Sequence, residues 1–192
     1  MSRFWVGVII GVVLVPAIIV AVVYLGVLPA AANDPSMQFE PALAEAGLFF
    51  RIERQAPSHD VSGMSTADLL AGADVYQKNC AVCHALPDQE QGPVGSGMFP
   101  RAPRLFSPDG MVTDDSVGET YWKVKNGIRL SGMPSFEKVL SEDQMWDVAA
   151  LVKRADKLPP EVMDALKPQP EPGAAQAEPP ATPATAKPQK SK

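Results

Sequence analysis

The hexapeptide NCAVCH at residues 79–84 constrains this chain more than any other stretch. It holds the only two cysteines in 192 residues and one of only two histidines. Two thiols three positions apart with an imidazole directly after them suit few purposes, and each purpose makes its own demand on the rest of the chain. A Cys80–Cys83 disulfide would close too small a loop to staple anything together. A redox dithiol needs a preceding strand and a βαβ unit, and the residues around Cys80 show neither pattern. Structural zinc needs four ligands. His59 is the only spare one, and Cys83 and His84 are adjacent, so the set is strained. His59 itself lies in a polar loop and reads as a solvated surface residue.

The neighbouring sequence narrows the choice. TADLLAGADVYQKN is expected to start as a helix at Thr66, with Leu69, Leu70, Ala73 and Tyr76 on one face, and it runs directly into Cys80. From Ala85 to Val112 the chain is rich in Gly and Pro and shows no strand-like alternation. A loop of that length in a compact domain requires something to fill the space it encircles. Thr113 or Asp115 is expected to cap a helix through SVGETYWKVKN, which Gly127 ends. Ser141, with Gln144 in the capping-box position, opens the last helix, EDQMWDVAALVKRAD. The predicted fold is all-α: three or four short helices joined by long loops, with no sheet. Such a set encloses little core, and domains of this size are usually completed by disulfides, a metal or a large cofactor.

C-x-x-C-H meets that need as a covalent haem attachment site. Thiols one turn apart reach the two vinyl groups of a porphyrin, and the next residue brings an imidazole under the iron. The haem then supplies the missing core and explains the long loop. Methionines available for the sixth iron position are Met64, Met98, Met111, Met133, Met145 and Met163. Met133 is the expected ligand: it lies in a loop, Gly132 lets the backbone approach the haem, and Pro134 stiffens the chain after it. Met98, in GSGMFP, ranks second, while Met145 falls inside the last helix and reads as core. His/Met ligation raises the reduction potential and saturates the iron, which suits electron transfer.

AGADVYQKNCAVCH, NGIRLSGMPSF and MWDVAALVKRA together resemble the class I c-type cytochromes, over roughly Thr66 to Lys157. The resemblance implies a small cytochrome c-like haem domain, with one haem c bound through Cys80 and Cys83 and iron held by His84 and Met133. It implies a helix crossing of Gly72 and Tyr76 against Trp146, Ala150 and Leu151. It also implies a proline carbonyl that orients the proximal imidazole, with Pro103, Pro100 and Pro93 as the alternatives. Tyr121, Trp122, Arg101, Arg104 and Arg129 are its candidates for haem-wall or propionate contacts. The segment between His84 and Pro103 is longer than in compact members of the family.

The two ends differ from the middle. Phe4 to Leu28 carries no charge. As a helix it would be about 37 Å long, enough to cross a hydrocarbon core of about 30 Å. Ala30-x-Ala32 suits a signal peptidase, but the apolar run is longer than a signal h-region, so a retained anchor is expected. Arg3 before the run and Asp34, Glu40 and Glu45 after it put the N-terminus in the cytoplasm and the rest outside. The expected organisation is an anchor at 1–32 and a stalk at 33–65, the stalk carrying a helix around Ala42 to Gln55 that lies on the membrane or against the domain. The haem domain comes next at 66–160, then a disordered Pro/Ala-rich tail at 161–192. Net charge of -5 with scattered basic residues excludes a nucleic-acid partner.

These readings converge on a single-pass protein of the bacterial inner membrane with its haem domain in the periplasm. It would pass electrons between a membrane oxidoreductase and a second redox protein, with no bond chemistry of its own. The alternatives are a fixed cytochrome subunit of a larger respiratory or photosynthetic oxidoreductase complex and, requiring an open sixth position, a haem gas sensor or peroxidase-like enzyme.

Overall fold

The computed structural model describes residues 2–168. Eight helices and no strand occur among the described residues, as the all-α reading requires. The first, α1 (Ser2–Tyr24), is apolar on every side and by length and composition can cross a membrane. The others are α2 (Glu40–Gln55), α3 (Thr66–Asn79), α4 (Ala81–His84), α5 (Pro93–Ser96), α6 (Val117–Asn126), α7 (Glu142–Lys153) and α8 (Pro160–Ala165). The segment expected to be one long loop after His84 contains the single turn α5.

Local hydrogen bonding sets where the main helices begin. Ser65, one residue before the expected start, caps α3: its hydroxyl accepts from Asp68 N at 3.3 Å, and Asp68 accepts from Ser65 N at 2.7 Å. Ser116 caps α6 in place of Thr113 or Asp115, since the Asp115 carboxylate is taken by Lys123 at 2.6 Å. Ser141 and Gln144 form the capping box expected at α7, with bonds of 3.2 and 2.9 Å. Each such cap satisfies amide donors that the first helical turn leaves without partners.

The core forms where α3 crosses α7. At the crossing, a Cβ on Gly72 would strike the Asp147 carbonyl and lie 3.2 Å from Val148 N, so the helices meet backbone to backbone. Leu69, Ala73, Val148, Ala149 and Leu151 are buried around this contact. Two residues expected at this crossing each take an aromatic partner from another segment. Tyr76 packs edge-on against Phe106, with centroids 4.9 Å apart, whereas Trp146 stacks on Tyr121 at 3.9 Å.

The packed unit is wider than 66–160 at both ends. In the stalk, Ile52 of α2 is buried, Gln55 accepts from Trp122 Nε1 at 3.2 Å, and Pro57 lies against Gly118. His59, expected free in solvent, stacks on Trp146 at 4.3 Å while keeping an exposed edge. At the other end, residues 161–166, expected to belong to a disordered tail, lie in α8 and its cap. Val162 and Leu166, one turn apart, are 0% exposed against the core, and Gln77 of α3 donates to the Ala165 carbonyl. Burying those two side chains offsets the cost of ordering this turn. The rest of the expected tail, from 169 on, lies outside the described residues.

Candidate haem-binding site

A cavity of about 290 Å³ opens beside this core, bounded by α3, α4, α6 and the two loops at 98–105 and 128–136. Cys80, Cys83, His84, Met133 and Pro103 all line it, so five of the seven residues expected to bind cofactor meet in one place. The two cysteines arrive together because α3 ends at Cys80, whose N–H still bonds Tyr76 O at 2.8 Å. The single turn α4 then starts from the Cys80 carbonyl, which accepts from His84 N at 2.9 Å.

His84 is oriented by one bond. Its Nδ1 lies 2.7 Å from the Pro103 carbonyl, and a carbonyl only accepts, so Nδ1 carries the proton. Nε2 therefore keeps its lone pair, the state an iron ligand requires. Burial lowers the pKa of this imidazole, with the Pro103 bond partly opposing the shift, and the ring is neutral at pH 7. Of the three prolines that the resemblance left open, Pro103 is the one that makes this bond. Burial, and then the neighbouring Cys83, pushes the Cys80 thiol up to about 12.

The Met133 loop is tied to the end of α6. Gly127, at φ 67°, starts a turn so tight that a Cβ there would lie 2.6 Å from the Pro134 and Ser135 backbone. Ile128 N then donates to Met133 O at 3.1 Å, Met133 N to Ser131 Oγ at 3.1 Å, and Ser135 Oγ to Lys125 O at 2.6 Å. Met98 lines the same cavity, and its sulfur occupies the space where Gly132 has no side chain. None of the other four candidate methionines lines the cavity, and Met145 is buried in the core.

The wall tests whether a haem suits the site. It is largely apolar, from Leu105, Val112, Val124, Ile128, Phe136, Val148 and Val152. One buried hydroxyl, Thr120 Oγ1, lines it without a hydrogen-bond partner. Leaving such a group unpaired costs about 1–3 kcal/mol, which argues for an occupant with polar atoms at its edge. Two cysteine side chains, a free imidazole lone pair, a thioether, apolar walls and one orphan hydroxyl fit a haem.

Two expected contacts fall outside the cavity. On α6, Thr120, Lys123 and Val124 face it at helical spacing, which turns Tyr121 and Trp122 away. Tyr121 stacks on Trp146, and Trp122 bonds Gln55 of the stalk. Of the arginines, Arg101 lines the cavity, Arg104 pairs with Asp109 and Glu90 at 3.4 and 3.8 Å, and Arg129 is exposed. The sequence reading missed three residues. Gln91 braces the site by donating to Cys83 O at 2.7 Å and Ala102 O at 2.6 Å while accepting from Arg101. Leu48 reaches the cavity from the stalk helix, and Thr120 was passed over. Thr120 alone had a signal, its spacing from Lys123 and Val124 on one helix face.

A family model described as "Cytochrome C oxidase, cbb3-type, subunit III" matches residues 67–152, the span from α3 to α7. Cytochrome c6 of Synechococcus elongatus is 32% identical over 91 residues, covering 45% of this chain and 88% of that protein. Cytochrome c6 of Limnospira maxima is 33% identical over 97 residues, covering 47% of this chain and 97% of that one. The match covers nearly the whole length of each of these relatives, and the cavity offers what a covalent haem needs. The chain belongs to the mono-haem c-type cytochromes, binds one haem c covalently through Cys80 and Cys83, and serves haem-based electron transfer.

Proposed function

We propose that His84 and Met133 are the two axial ligands of the iron and that the protein is a membrane-held carrier of single electrons. The carrying observation is that both side chains line one cavity, His84 with Nε2 unprotonated and Met133 on a loop bonded to α6 at several points. When bound, the haem supplies a one-electron couple at the iron. Every other task falls to the chain. Pro103 fixes the imidazole, Gln91 braces the Cys83 turn, and the bonds of Ile128 to Met133, Met133 to Ser131 and Ser135 to Lys125 hold the loop that carries the thioether. With both His84 and Met133 holding the iron, no position would remain for a substrate or gas, and the apolar wall would keep water away and favour a high potential.

The outer residues set the location. We read α1 as a retained span that holds the haem domain in the periplasm, at the bacterial inner membrane, between a membrane oxidoreductase and a second redox protein. The charge-free run from Phe4 supports a span, and Arg3 before that run with the acidic residues after it supports that orientation. A fixed place in a larger complex is the second reading, favoured by a family-model description that names an oxidase subunit. Purification in mild detergent separates them: a shuttle emerges alone, a subunit with its complex.

The ligand assignment is tested by absorption spectra of the membrane-bound protein, with and without carbon monoxide. A low-spin spectrum with the weak iron–methionine charge-transfer band is expected, indifferent to carbon monoxide. Met133→Ala should lose that band, lower the reduction potential and admit carbon monoxide, whereas Met98→Ala should keep it. A band that survives Met133→Ala and disappears in Met98→Ala would transfer the ligand role to Met98.

A further inference from the structure

α2 is apolar on two opposite faces, and the domain covers only one of them. Leu48, Ile52 and Gln55 recur at i, i+4 and i+7 and face inward. Leu48 lines the haem cavity, Ile52 is 4% exposed, and Gln55 accepts from Trp122. Half a turn away, Phe39, Leu43, Ala46 and Phe50 form a second stripe at i, i+4, i+7 and i+11, with Phe49 beside it. This stripe faces no part of the chain among the described residues: Phe39 is 64% exposed, Leu43 71%, Phe49 60% and Phe50 54%. Three aromatic rings and a leucine along one side of a 16-residue helix form an uncovered apolar surface too large to be incidental.

The place of this stripe in the chain identifies what covers it. Residues 25–39 are all that separates α2 from α1, whose side chains are just as exposed and whose composition suits a hydrocarbon core. If α1 crosses the membrane, α2 emerges within a short tether of the bilayer surface, where a helix with one apolar stripe lies flat in the headgroup layer. The flanks agree: Arg51 and Arg54 are exposed to one side of the stripe, and Glu53 closes its end. We propose that the outer face of α2 docks on the lipid surface. α2 then acts as a platform with bilayer on one side and haem cavity on the other, so the haem domain stands in a set orientation to the membrane instead of swinging on its tether. The proposal rests on the reading of α1 as a span.

The test uses the full haem-loaded chain in vesicles of phosphatidylcholine and phosphatidylglycerol. Its native cysteines are occupied by the haem, so single nitroxide labels go onto Phe50→Cys, Leu43→Cys, Val12→Cys in α1 and Ser62→Cys in an exposed loop. The haem spectrum of each variant reports folding. Collision rates with oxygen, which partitions into lipid, are compared with those of a water-soluble nickel chelate. Labels at 43 and 50 should show an oxygen-to-nickel ratio several-fold above that at 62 and close to that at 12. If 12 lies in lipid while 43 and 50 match 62, docking is overturned and the span stands. If 12 is also open to nickel, the span reading fails, and the platform with it. Labels at 43 and 50 shielded from both reagents would mean that protein covers the stripe, with spin–spin broadening marking a second copy, and would equally overturn the proposal.

Discussion

Tyr76 shows how much of the site depends on single side chains that touch no ligand. Its ring is 0% exposed beside Phe106, and its hydroxyl donates at 2.7 Å to the carbonyl of Ala85, the residue after His84. Ala85 holds φ 60°, which costs an alanine energy unless its surroundings hold it there. Burial raises the Tyr76 pKa, with Cys80 adding to the shift, so the group remains a hydrogen-bond donor at any pH the protein meets. Tyr76→Phe would leave the Ala85 carbonyl buried without that partner. The expected loss is about 1–3 kcal/mol in guanidinium unfolding followed by haem absorbance. An unchanged midpoint would show that the carbonyl finds another donor. Such a role could not be read from the sequence, where Tyr76 is one apolar position on a helix face and its partner lies around a turn not yet formed.

At the scale of elements, the α3–α7 crossing sets the geometry of one cavity wall. Gly72→Ala places a methyl group against the Asp147 carbonyl, and backbone on both sides has little room to yield. Overpacking of that kind costs about 1–3 kcal/mol, while alanine returns about 1 kcal/mol of helix propensity. A net loss of up to about 2 kcal/mol is expected in the same unfolding measurement. The crossing also crowds acidic groups. Asp147 has a raised pKa, from burial first and then from Asp68 and Asp143. Its charged form is therefore disfavoured in the fold, and it destabilises the protein increasingly as pH rises past the ordinary carboxylate range. Asp147→Asn should raise the melting temperature at pH 7 and lose that advantage as the pH falls toward about 3, where both states are protonated. Melting curves across that range decide it, and an equal gain at every pH would show that charge is not the cause.

For the molecule as a whole, the haem domain is closed by segments that come from outside its family-matched centre. α8 buries Val162 and Leu166 completely and is bonded to α3 through Gln77. A chain ending at Pro159 should lose about 3–6 kcal/mol of apolar burial and melt about 10 °C lower or more, while a chain ending at Pro168 should melt like the full protein. Equal melting of all three would show that α8 contributes nothing to stability. The same contrast between near and distant partners separates what was legible from what was not. Cys80, Cys83 and His84 were legible because attachment chemistry needs them within five consecutive positions, and the Ser141–Gln144 cap because its atoms lie within one helical turn. Met133 stood out for its glycine and proline neighbours. The choice of Pro103 over Pro93 and Pro100, the turning of Tyr121 and Trp122 out of the cavity, the bracing by Gln91 and the arrival of Leu48 from the stalk were decided by tertiary structure alone. Each depends on which surfaces meet when distant segments pack; His84 and Pro103 are 19 residues apart, Trp122 and Gln55 67. Local spacing in the sequence settles covalent chemistry and helix ends, but contacts between segments are selected only when apolar faces compete for the same buried space.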